Sequence, residues 1–449
     1  MIVNLKFIYL FLKEYNHARK VNRFTSLEQI QQYQEEKLQA HLSHVVPLSR
    51  FYQKRFESYS FSEWRKLPVM DKSIMMESFD DLNTVGIKKK EAFEIALASE
   101  ESRDFSSTLK NVTVGLSSGT SGNRGLFLVS QEEQARWAGN ILGKVYPTSL
   151  LFGKKQTIAF FLRANSNLYN SVNNPKVAFH FFDLLEEIEH HIERLNRYQP
   201  TILIAPSSML RILAHEKKEG RLSIQPIKIV SVAEALNSED KMEIEEVFNQ
   251  KVHQVYQCTE GFLAYTCSHG TLHVNEDLVV IEKEYLDKEN GKFVPIITDF
   301  TRTSQPIIRY RLNDVLTEGE SCSCGSHFMT LKQIDGRCDD LFYGKKVENG
   351  EIRILFADFI RRAIISASDV SLEYKVRQLS LNDMTVELQL ADEREREQVE
   401  MKIETNFHAF FKEMDCVLPT ISFSTYQAPP KGTKIRRVER CFQIEGGIT

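Results

Sequence analysis

Leu116-Ser117-Ser118-Gly119-Thr120-Ser121-Gly122-Asn123-Arg124-Gly125 is the most informative stretch of this chain, and it directly follows the alternating run VTVG. Three glycines and four hydroxyl side chains fall within these ten positions. Because glycine has no Cβ atom, several backbone N–H groups can converge on one anion, and the hydroxyls add donors for phosphate oxygens. The Gly-Lys-Ser/Thr ending of a Walker A loop is missing. Taken alone, the pattern fits a flexible surface turn or a phosphate loop of another kind, and the other motifs of the chain must decide between the two.

After this loop, strand and helix patterns alternate along the chain. Short apolar runs predict buried strands at 157–162, 201–206, 227–233 and 251–258, and helical spacing predicts helices at 184–198, 208–219 and 238–249. Such alternation is typical of a parallel α/β sheet. After His273 the predicted strands become shorter and are joined by Gly- and Asn-containing turns. They indicate an antiparallel barrel or sheet appended to the α/β body.

The two ends of the chain differ from its centre. Two helical patterns open it, within residues 1–60, and the first is too short and too lysine-interrupted to span a bilayer. We therefore expect an amphipathic helix that packs on the protein, with a membrane anchor as the alternative. The end of the chain shows a helix, two strands and a long helix, which predict a compact α+β domain. The expected domains are 1–336 and 337–449.

Composition narrows the class of protein. The chain has 449 residues, 42% of them hydrophobic, which is enough for a large core, and a net charge of −4. Nothing in this balance favours nucleic-acid binding, which calls for a strongly basic face. Seven cysteines, an odd number, in a long chain without a secretion signal pattern predict reduced thiols and a cytoplasmic location.

Five motifs in a fixed order resemble the adenylate-forming (AMP-binding, acyl-CoA synthetase) superfamily. They are Ser117–Gly122, YQCTE at 256–260, YRLND at 310–314, GRCDD at 336–340 and a late lysine, Lys434. The run PIIRYR at 306–311, followed by Cys322-Ser-Cys324-Gly325, makes the chain most similar to the phenylacetate–CoA ligase and coenzyme F390 synthetase-related branch. The resemblance covers nearly the whole chain. It implies an α/β fold in which a large N-terminal adenylation domain, with α/β subdomains and a β-rich subdomain, precedes a small mobile C-terminal lid.

The resemblance also implies roles for individual residues. The phosphate loop would wrap the β- and γ-phosphates of ATP, Tyr256 would stack on adenine, and Thr259 would bond the α-phosphate. Glu260 would hold Mg²⁺, since this hard cation prefers carboxylate oxygen. The complete implied nucleotide set is Ser117, Ser118, Gly119, Thr120, Ser121, Gly122, Ala233, Glu234, Tyr256, Asp314 and Arg337. Within it Asp314 would bind the ribose hydroxyls, and Arg337 the ribose or a phosphate.

Two further roles concern the C-terminal domain. Asp339 would be the hinge about which that domain pivots between adenylation and transfer. Lys434 would bridge the substrate carboxylate and the α-phosphate, with Lys431 as the alternative. The chain departs from the family pattern at Asn123 and Arg124 in the phosphate loop. It also has Asn313 and Thr433 at two positions where the family usually has glycine.

Two arginines and a cysteine–histidine cluster stand apart from the nucleotide set. Arg309 and Arg311 are each either part of the site or a structural salt-bridge residue. Cys267, His273, Cys322 and Cys324 predict a possible structural zinc site, since Cys and His are the ligands that tetrahedral zinc prefers. His269 is an alternative to His273, and free packed cysteines are the alternative to zinc.

The expected activity is ATP- and Mg²⁺-dependent conversion of a carboxylic acid, for which the branch suggests an aromatic one, into an acyl-adenylate. Transfer to a thiol, on CoA or a carrier protein, would follow. The alternatives are an amine or hydroxyl acceptor, or a catalytically weak nucleotide- or zinc-binding scaffold. Residues 163–182 are a candidate acyl pocket, with core packing as the alternative reading. A homodimer is possible.

Overall fold

The computed structural model describes residues 5–20, 24–104, 107–117, 124–147, 153–162, 176–367, 372–429 and 436–444. Two compact units make up the chain. The first consists of Met1–Leu312 with Thr317–Gln333, and the second of Asn313–Leu316 with Ile334–Thr449. The division of the chain at residue 336 into a lid and an adenylation domain remains a prediction.

Ten of the described helices belong to the first unit. They are α1 (Leu5–Ala18), α2 (Leu27–Val45), α3 (Arg50–Phe56), α4 (Lys72–Glu77), α5 (Phe79–Leu82), α6 (Lys89–Ser102), α7 (Gln131–Val145), α8 (Ile188–Tyr198), α9 (Ser207–Lys218) and α10 (Ser238–Phe248). Short 3₁₀ turns lie at Val46–Leu48 and Phe61–Lys66. Side-chain caps begin several of these helices. In α7, Ser130 and Glu133 form a reciprocal capping box, which satisfies backbone N–H groups that a helix start leaves without partners.

The strands of the first unit begin with β1 (Thr108–Leu109), β2 (Val112–Leu116), β3 (Leu126–Ser130), β4 (Gln156–Leu162), β5 (Val177–Asp183), β6 (Ile202–Ala205), β7 (Lys228–Ser231) and β8 (Val252–Cys258). They continue with β9 (Gly261–Thr266), β10 (Leu272–Val274), β11 (Val279–Asp287), β12 (Lys292–Asp299) and β13 (Ile307–Arg311). Two further strands, β14 (Asp314–Glu318) and β15 (Thr330–Arg337), each contain residues assigned to both units.

The main sheet joins parallel and antiparallel strands. Its order is β11-β12-β14-β15-β10-β9-β8-β7-β6-β4-β5, and β13 pairs with β12. From β5 to β8 the neighbours are parallel, and from β8 onward the pairs β8–β9, β9–β10 and β10–β15 are antiparallel. A separate antiparallel sheet contains β1, β2 and β3. The expected β-rich part is therefore a continuation of the α/β sheet through β8, and not a separate barrel.

Apolar side chains explain why helices cover the parallel strands. Phe161 of β4, Leu203 of β6 and Leu210 of α9 are fully buried in one cluster. The N-terminal helix α1 packs on α7, as predicted, because α7 presents glycines to it. A Cβ atom at Gly139 would lie 2.4 Å from the Phe11 carbonyl oxygen, so the contact depends on the missing side chain.

The described part of the second unit contains a four-stranded sheet, a two-stranded hairpin and two α-helices. Its strands are β16 (Phe342–Lys345), β17 (Ile352–Leu355), β18 (Leu372–Gln378), β19 (Asp383–Leu390), β20 (Thr420–Thr425) and β21 (Val438–Arg440). Its helices are α11 (Ala357–Ile365) and α12 (Arg396–Glu413), with 3₁₀ turns at Cys338–Asp340 and Glu393–Glu395. The four-stranded sheet has the order β20-β19-β18-β21, and β16 and β17 form a hairpin. Ile360, Val376 and Phe407 are fully buried in its core, which confirms the predicted α+β pattern.

The predicted secondary structure of the centre is confirmed. Each expected strand between residues 157 and 258 is present within a few residues, and so is each expected helix between them. Helices α4 to α6 and the edge strand β5 were not predicted as elements. Among the described helices, none has the length and apolarity that crossing a lipid bilayer requires.

Candidate active site

The phosphate-loop sequence connects β2 to β3. Its two described ends close on each other, since Ser117 N donates to Gly125 O at 2.7 Å and Gly125 N donates to Ser117 Oγ at 2.8 Å. These two bonds hold Ser117 and Gly125 together, and the two residues form the base of the loop. The predicted phosphate-binding residues Ser118, Gly119, Thr120, Ser121 and Gly122 lie outside the described residues, as does Asn123.

A lysine that no sequence motif singled out, Lys72, lies beside the base of this hairpin. Lys72 Nζ donates to Ser117 Oγ at 3.2 Å. Lys72 is the first residue of α4, whose N-terminus is capped by Asp71 through the Ile74 N–H at 2.9 Å. The only sequence signal was a polar Asp-Lys-Ser helix start far from the loop along the chain. A cation at this point suits the charge of a triphosphate.

Arg124, the basic residue of the phosphate-loop sequence, is paired with a carboxylate. Its guanidinium forms an ion pair with Glu100 of α6, and its Nε lies 3.4 Å from Ser117 O. Lys72 is therefore the basic side chain that bonds the Ser117 hydroxyl at the base of the loop. The charge of Arg124 is balanced by the Glu100 carboxylate.

The turn between β8 and β9 holds the predicted Thr259 and Glu260. Thr259 Oγ1 donates to Glu260 Oε2 at 2.8 Å. The strand register shifts between Tyr256 and Gln257, and such an irregularity re-aims the side chains that follow it. Gln257 Oε1 accepts a hydrogen bond of 3.0 Å from Trp137 Nε1 of α7, so this motif is also tied to the helix after the phosphate loop.

Tyr310, the first residue of the YRLND motif, is buried and hydrogen-bonded to Glu260. Burial first, and then the nearby charge of Glu260 and this hydrogen bond, raise the pKa of Tyr310 far above its usual range. The phenol therefore stays protonated and donates to the carboxylate. Two motifs that are 50 positions apart in the sequence thus meet at one side chain.

The predicted nucleotide contacts Ala233 and Glu234 follow β7. Ala233 has φ +65°, a left-handed conformation that favours glycine, which is the residue usual here in the resembling family. Glu234 Oε2 accepts from Ser208 N at 3.0 Å and from Ser207 Oγ at 3.2 Å. Its carboxylate thus caps the start of α9. A nucleotide contact from either residue remains a prediction.

The remaining nucleotide residues belong to the second unit. Asp314 Oδ1 and Arg337 Nε are 4.0 Å apart, and the predicted hinge residue Asp339 accepts from Asn313 Nδ2 at 2.8 Å. The segment of Lys431 and Lys434 lies outside the described residues. Directly after it, Arg436 binds Asp340 through Nε at 2.9 Å and Nη2 at 2.6 Å.

Arg309 and Arg311 are salt-bridge residues in this structure. Arg309 Nε is 2.9 Å from Glu282 Oε1, and Arg311 Nη2 is 2.8 Å from Glu284 Oε1. Both carboxylates come from β11. The pairs therefore bind two strands of the main sheet together, which is the structural one of the two readings left open by the sequence.

The cysteine–histidine cluster is assembled as predicted. Each of Cys267, His273, Cys322 and Cys324 has a ligand atom within 4.8 Å of those of the other three. His269 is not a member of this group, and its Nδ1 atom lies 3.1 Å from the Oγ atom of Ser323, the residue between Cys322 and Cys324. His273, and not His269, is therefore the histidine that the fold brings to the thiols.

The spacings inside this cluster fit a tetrahedral metal. Two sulfurs on one zinc at ~2.3 Å are ~3.8 Å apart, and Cys267 Sγ and Cys322 Sγ are 3.8 Å apart. His273 Nε2 is 3.4 Å from Cys324 Sγ, and its Nδ1 lies 3.3 Å from Phe328 O. A carbonyl partner for Nδ1 leaves Nε2 for a metal, as in most histidine ligands. The donor set thus matches zinc in chemistry and in size.

Comparison with known proteins places these features in context. Protein CapK of Staphylococcus aureus is 25% identical over 241 residues, which are 50% of this chain and 52% of that protein. Indoleacetate–lysine synthetase of Pseudomonas savastanoi is 24% identical over 277 residues, 58% of this chain and 62% of that protein. The chain thus matches less than two thirds of the length of these relatives. No protein-family model matches it.

Solved structures resemble the chain over nearly its full length. The structure of 2-hydroxyisobutyryl-CoA ligase in the postadenylation state, in complex with R3-HIB-AMP, has a TM-score of 0.67 at 15% identity and covers 95% of this chain and 92% of its own. An acyl acid amido synthetase in complex with 2,4-DB has a TM-score of 0.60 at 14% identity, with 95% and 94% covered. The chain therefore has the fold of these adenylate-forming enzymes, which confirms the predicted fold class.

Proposed function

We propose that this chain, whose fold is that of adenylate-forming enzymes, uses ATP to convert a carboxylic acid into an acyl-adenylate and pyrophosphate. The observation that carries the proposal is the joining of Thr259, Glu260 and Tyr310 into one hydrogen-bonded group. All three residues belong to motifs that the resemblance assigned to nucleotide activation. Packing alone does not require a carboxylate held by two hydroxyls at a strand-end turn.

The chemistry explains why these residue types are needed. Adenylation brings an anionic acid to an anionic phosphate, so the barrier falls when charge is neutralised and geometry is held. We assign Thr259 to the α-phosphate and Glu260 to Mg²⁺. A bound Mg²⁺ would supply positive charge to the phosphate oxygens. Lys72, beside Ser117, is a second source of positive charge at the loop, and Lys434 is the proposed catalytic lysine.

The hydrogen bonds within this group would act before any substrate binds. Tyr310 stays protonated and donates to Glu260, which restricts the rotamer of the carboxylate. Restriction in advance lowers the entropy that ordering the site would otherwise cost at the transition state. The Trp137–Gln257 bond restrains the strand that carries Tyr256, the proposed adenine-stacking residue.

The acceptor of the acyl group is a separate proposal from the first half-reaction. A thiol, on CoA or a carrier protein, is the main proposal, and 2-hydroxyisobutyryl-CoA ligase is a neighbour in fold. An amine is the second candidate, which the sequence relative named indoleacetate–lysine synthetase favours. An aromatic acid, a cytoplasmic location and a homodimer remain predictions.

We also propose that Cys267, His273, Cys322 and Cys324 bind structural zinc. The support is the agreement of their spacings with a tetrahedral site. Burial opposes ionisation of Cys322, yet hydrogen bonds from Thr271 and the Cys324 backbone outweigh it and lower the pKa of Cys322 to about 6. A thiolate is the form that binds a metal.

Acid-dependent exchange of labelled pyrophosphate into ATP tests the first half-reaction. A panel of aryl and aliphatic acids is offered to the purified chain with Mg²⁺, and we expect exchange with at least one acid. Exchange with none of them would favour the scaffold alternative. With an active acid identified, AMP release in the presence of CoA is compared with release in the presence of lysine and other amines, which separates the two acceptors.

A further inference from the structure

We infer that Arg302 is a positioning residue for the activation site, which holds the Thr259–Glu260 turn at a set distance from the hairpin of the phosphate loop. The inference rests on the proposed function and adds a residue to it. Arg302 lies in the stretch TRTSQP at 301–306, ahead of the PIIRYR run that starts at Pro306. Neither its residue type nor its position singled it out in the sequence.

The contacts of Arg302 join two separate segments. Its Nη1 donates to the carbonyl oxygen of Thr259 at 3.0 Å, and its Nη2 donates to the carbonyl oxygen of Leu128 at 3.0 Å. Leu128 belongs to β3, which leads out of the phosphate loop. One planar guanidinium thus spans from the proposed magnesium-binding turn to the loop hairpin, and its rigid fork sets the distance between the two carbonyls.

The outer edge of β3 shows why such a bridge is stable. β3 is an edge strand, so its outward N–H and C=O groups need partners from elsewhere. Gln305 supplies them, since its Oε1 accepts from Leu128 N at 2.9 Å and its Nε2 donates to Leu126 O at 3.2 Å. Arg302 takes the remaining carbonyl of Leu128. Side chains of a single stretch therefore replace a missing strand.

The buried carboxylate of Glu133 binds the same stretch, residues 301–306. Glu133 Oε1 accepts from Thr303 N at 2.7 Å and from Ser304 N at 3.0 Å, and its Oε2 accepts from Ser304 Oγ at 2.5 Å. It also lies 3.9 Å from Arg302 Nε, where it balances the guanidinium charge, and both side chains are largely buried. Arg302 is thus held in place by the helix that follows the phosphate loop.

These contacts predict a specific consequence for catalysis. If the Arg302 side chain no longer bonds one of its two carbonyl oxygens, the turn can shift relative to the loop hairpin. Glu260 would then be misplaced for binding a metal ion on the triphosphate. Arg302→Lys is the informative change, because lysine keeps the charge but has a single nitrogen in place of the fork. Arg302→Gln, which lacks the charge, is a second variant.

The test measures ATP binding by calorimetry over a series of Mg²⁺ concentrations. We expect both variants to raise the Mg²⁺ concentration at half-maximal ATP binding by about tenfold or more, the order expected when one charge-assisted hydrogen bond is lost. Arg194→Lys is the matched control, because Arg194 is also largely buried and also pairs with a carboxylate and a carbonyl, those of Glu186 and Phe181. It should leave the Mg²⁺ requirement unchanged.

The outcomes separate the inference from the proposed function. A general loss of stability would reduce the number of binding sites without changing their Mg²⁺ requirement, and that result for both Arg302 variants would overturn the positioning role. An equal rise in the Mg²⁺ requirement in Arg194→Lys would overturn the positioning role too. A native chain that binds no ATP and exchanges no pyrophosphate would overturn the proposed function, and this inference with it.

Discussion

Tyr310 donates a hydrogen bond to the carboxylate of Glu260, although the two residues come from different strands and different sequence motifs. The phenol is buried, and its raised pKa keeps the proton on the oxygen at any physiological pH. The bond therefore orients the carboxylate of Glu260. This arrangement suits a group that is proposed to hold a metal ion and that must present a defined oxygen to it.

Replacing Tyr310 by phenylalanine should weaken the use of Mg²⁺ and leave the fold intact. The ring still fills its buried site, but Glu260 loses a donor, which is worth about 1.5–3 kcal/mol for a charged acceptor. We expect the Mg²⁺ concentration for half-maximal pyrophosphate exchange to rise by about tenfold or more. Tyr285→Phe is the control, because its hydroxyl bonds Glu318 away from this turn. An unchanged Mg²⁺ requirement in Tyr310→Phe would count against the role given to Glu260.

Lys434 and Lys431 make competing predictions. A cation that meets charge developing at the transition state contributes about 10²–10³ in rate. Lys434→Ala should therefore reduce the rate of pyrophosphate exchange on that scale, without loss of ATP binding. Lys431→Ala, three positions earlier in the same segment, should have little effect. The opposite pattern would move the catalytic role to Lys431. Two variants that both exchange pyrophosphate as fast as the native chain would show that neither lysine has this role.

Metal analysis tests the zinc site. Purified protein should contain about one equivalent of zinc, held by three thiolates and one imidazole. Cys324→Ser should lose the metal and lower the melting temperature, since binding energy at a structural site is also folding energy. Cys441→Ser, at an exposed cysteine outside the cluster, should retain both. A metal-free native protein whose melting is unaffected by strong chelators would show that the cysteines only pack.

Asp299 should make stability fall as the pH rises. Burial, the largest cause, raises the pKa of Asp299 from 3.8 to about 6. Below the pKa of Asp299 in the unfolded chain, the carboxyl group is protonated in both the folded and the unfolded state. Folding then buries no charge at this position. Between about pH 4 and pH 6 the folded state binds more protons than the unfolded state, and stability therefore declines through this window and stays lower above it.

Asp299→Asn isolates this contribution. The amide cannot ionise, and its oxygen can still accept from Thr301, which bonds Asp299 Oδ1 through N at 2.7 Å and Oγ1 at 2.6 Å. Relative to the native chain, the variant should gain about 2–3 kcal/mol in free energy of unfolding from pH 4 to pH 7. Urea denaturation at the two pH values measures it. Asp81→Asn, at an exposed position, should show no such gain, and a pH-independent difference for Asp299→Asn would contradict the prediction.

Much of the fold was predictable because its signals are local. Alternating apolar runs and helical spacing depend on neighbours within a few positions, and they located the strands β4, β6, β7 and β8 with the helices α8, α9 and α10. The continuity of the parallel and antiparallel strands through β8 was not predictable. Which strand pairs with which depends on contacts between residues far apart in sequence.

The candidate site shows the same division. Residue types with distinctive chemistry, such as Glu260 in its motif or Cys322 and Cys324 at close spacing, were recognisable one by one. Lys72 and Arg302 were not, because a lone lysine or arginine has no meaning until its neighbours are known. Their partners, Ser117 and Thr259, lie more than 40 positions away along the chain.

The amino-acid sequence by itself determined the alternation of strands and helices, the kind of chemistry that each motif can support, and the three cysteines of the candidate zinc site. These follow from side-chain type and short-range periodicity, which need no knowledge of the fold. Only the tertiary structure decided that His273 and not His269 joins the thiols, that Tyr310 reaches Glu260, and that Arg302 spans two segments. Such choices depend on distances across the folded chain, which long-range packing sets and which no local pattern records.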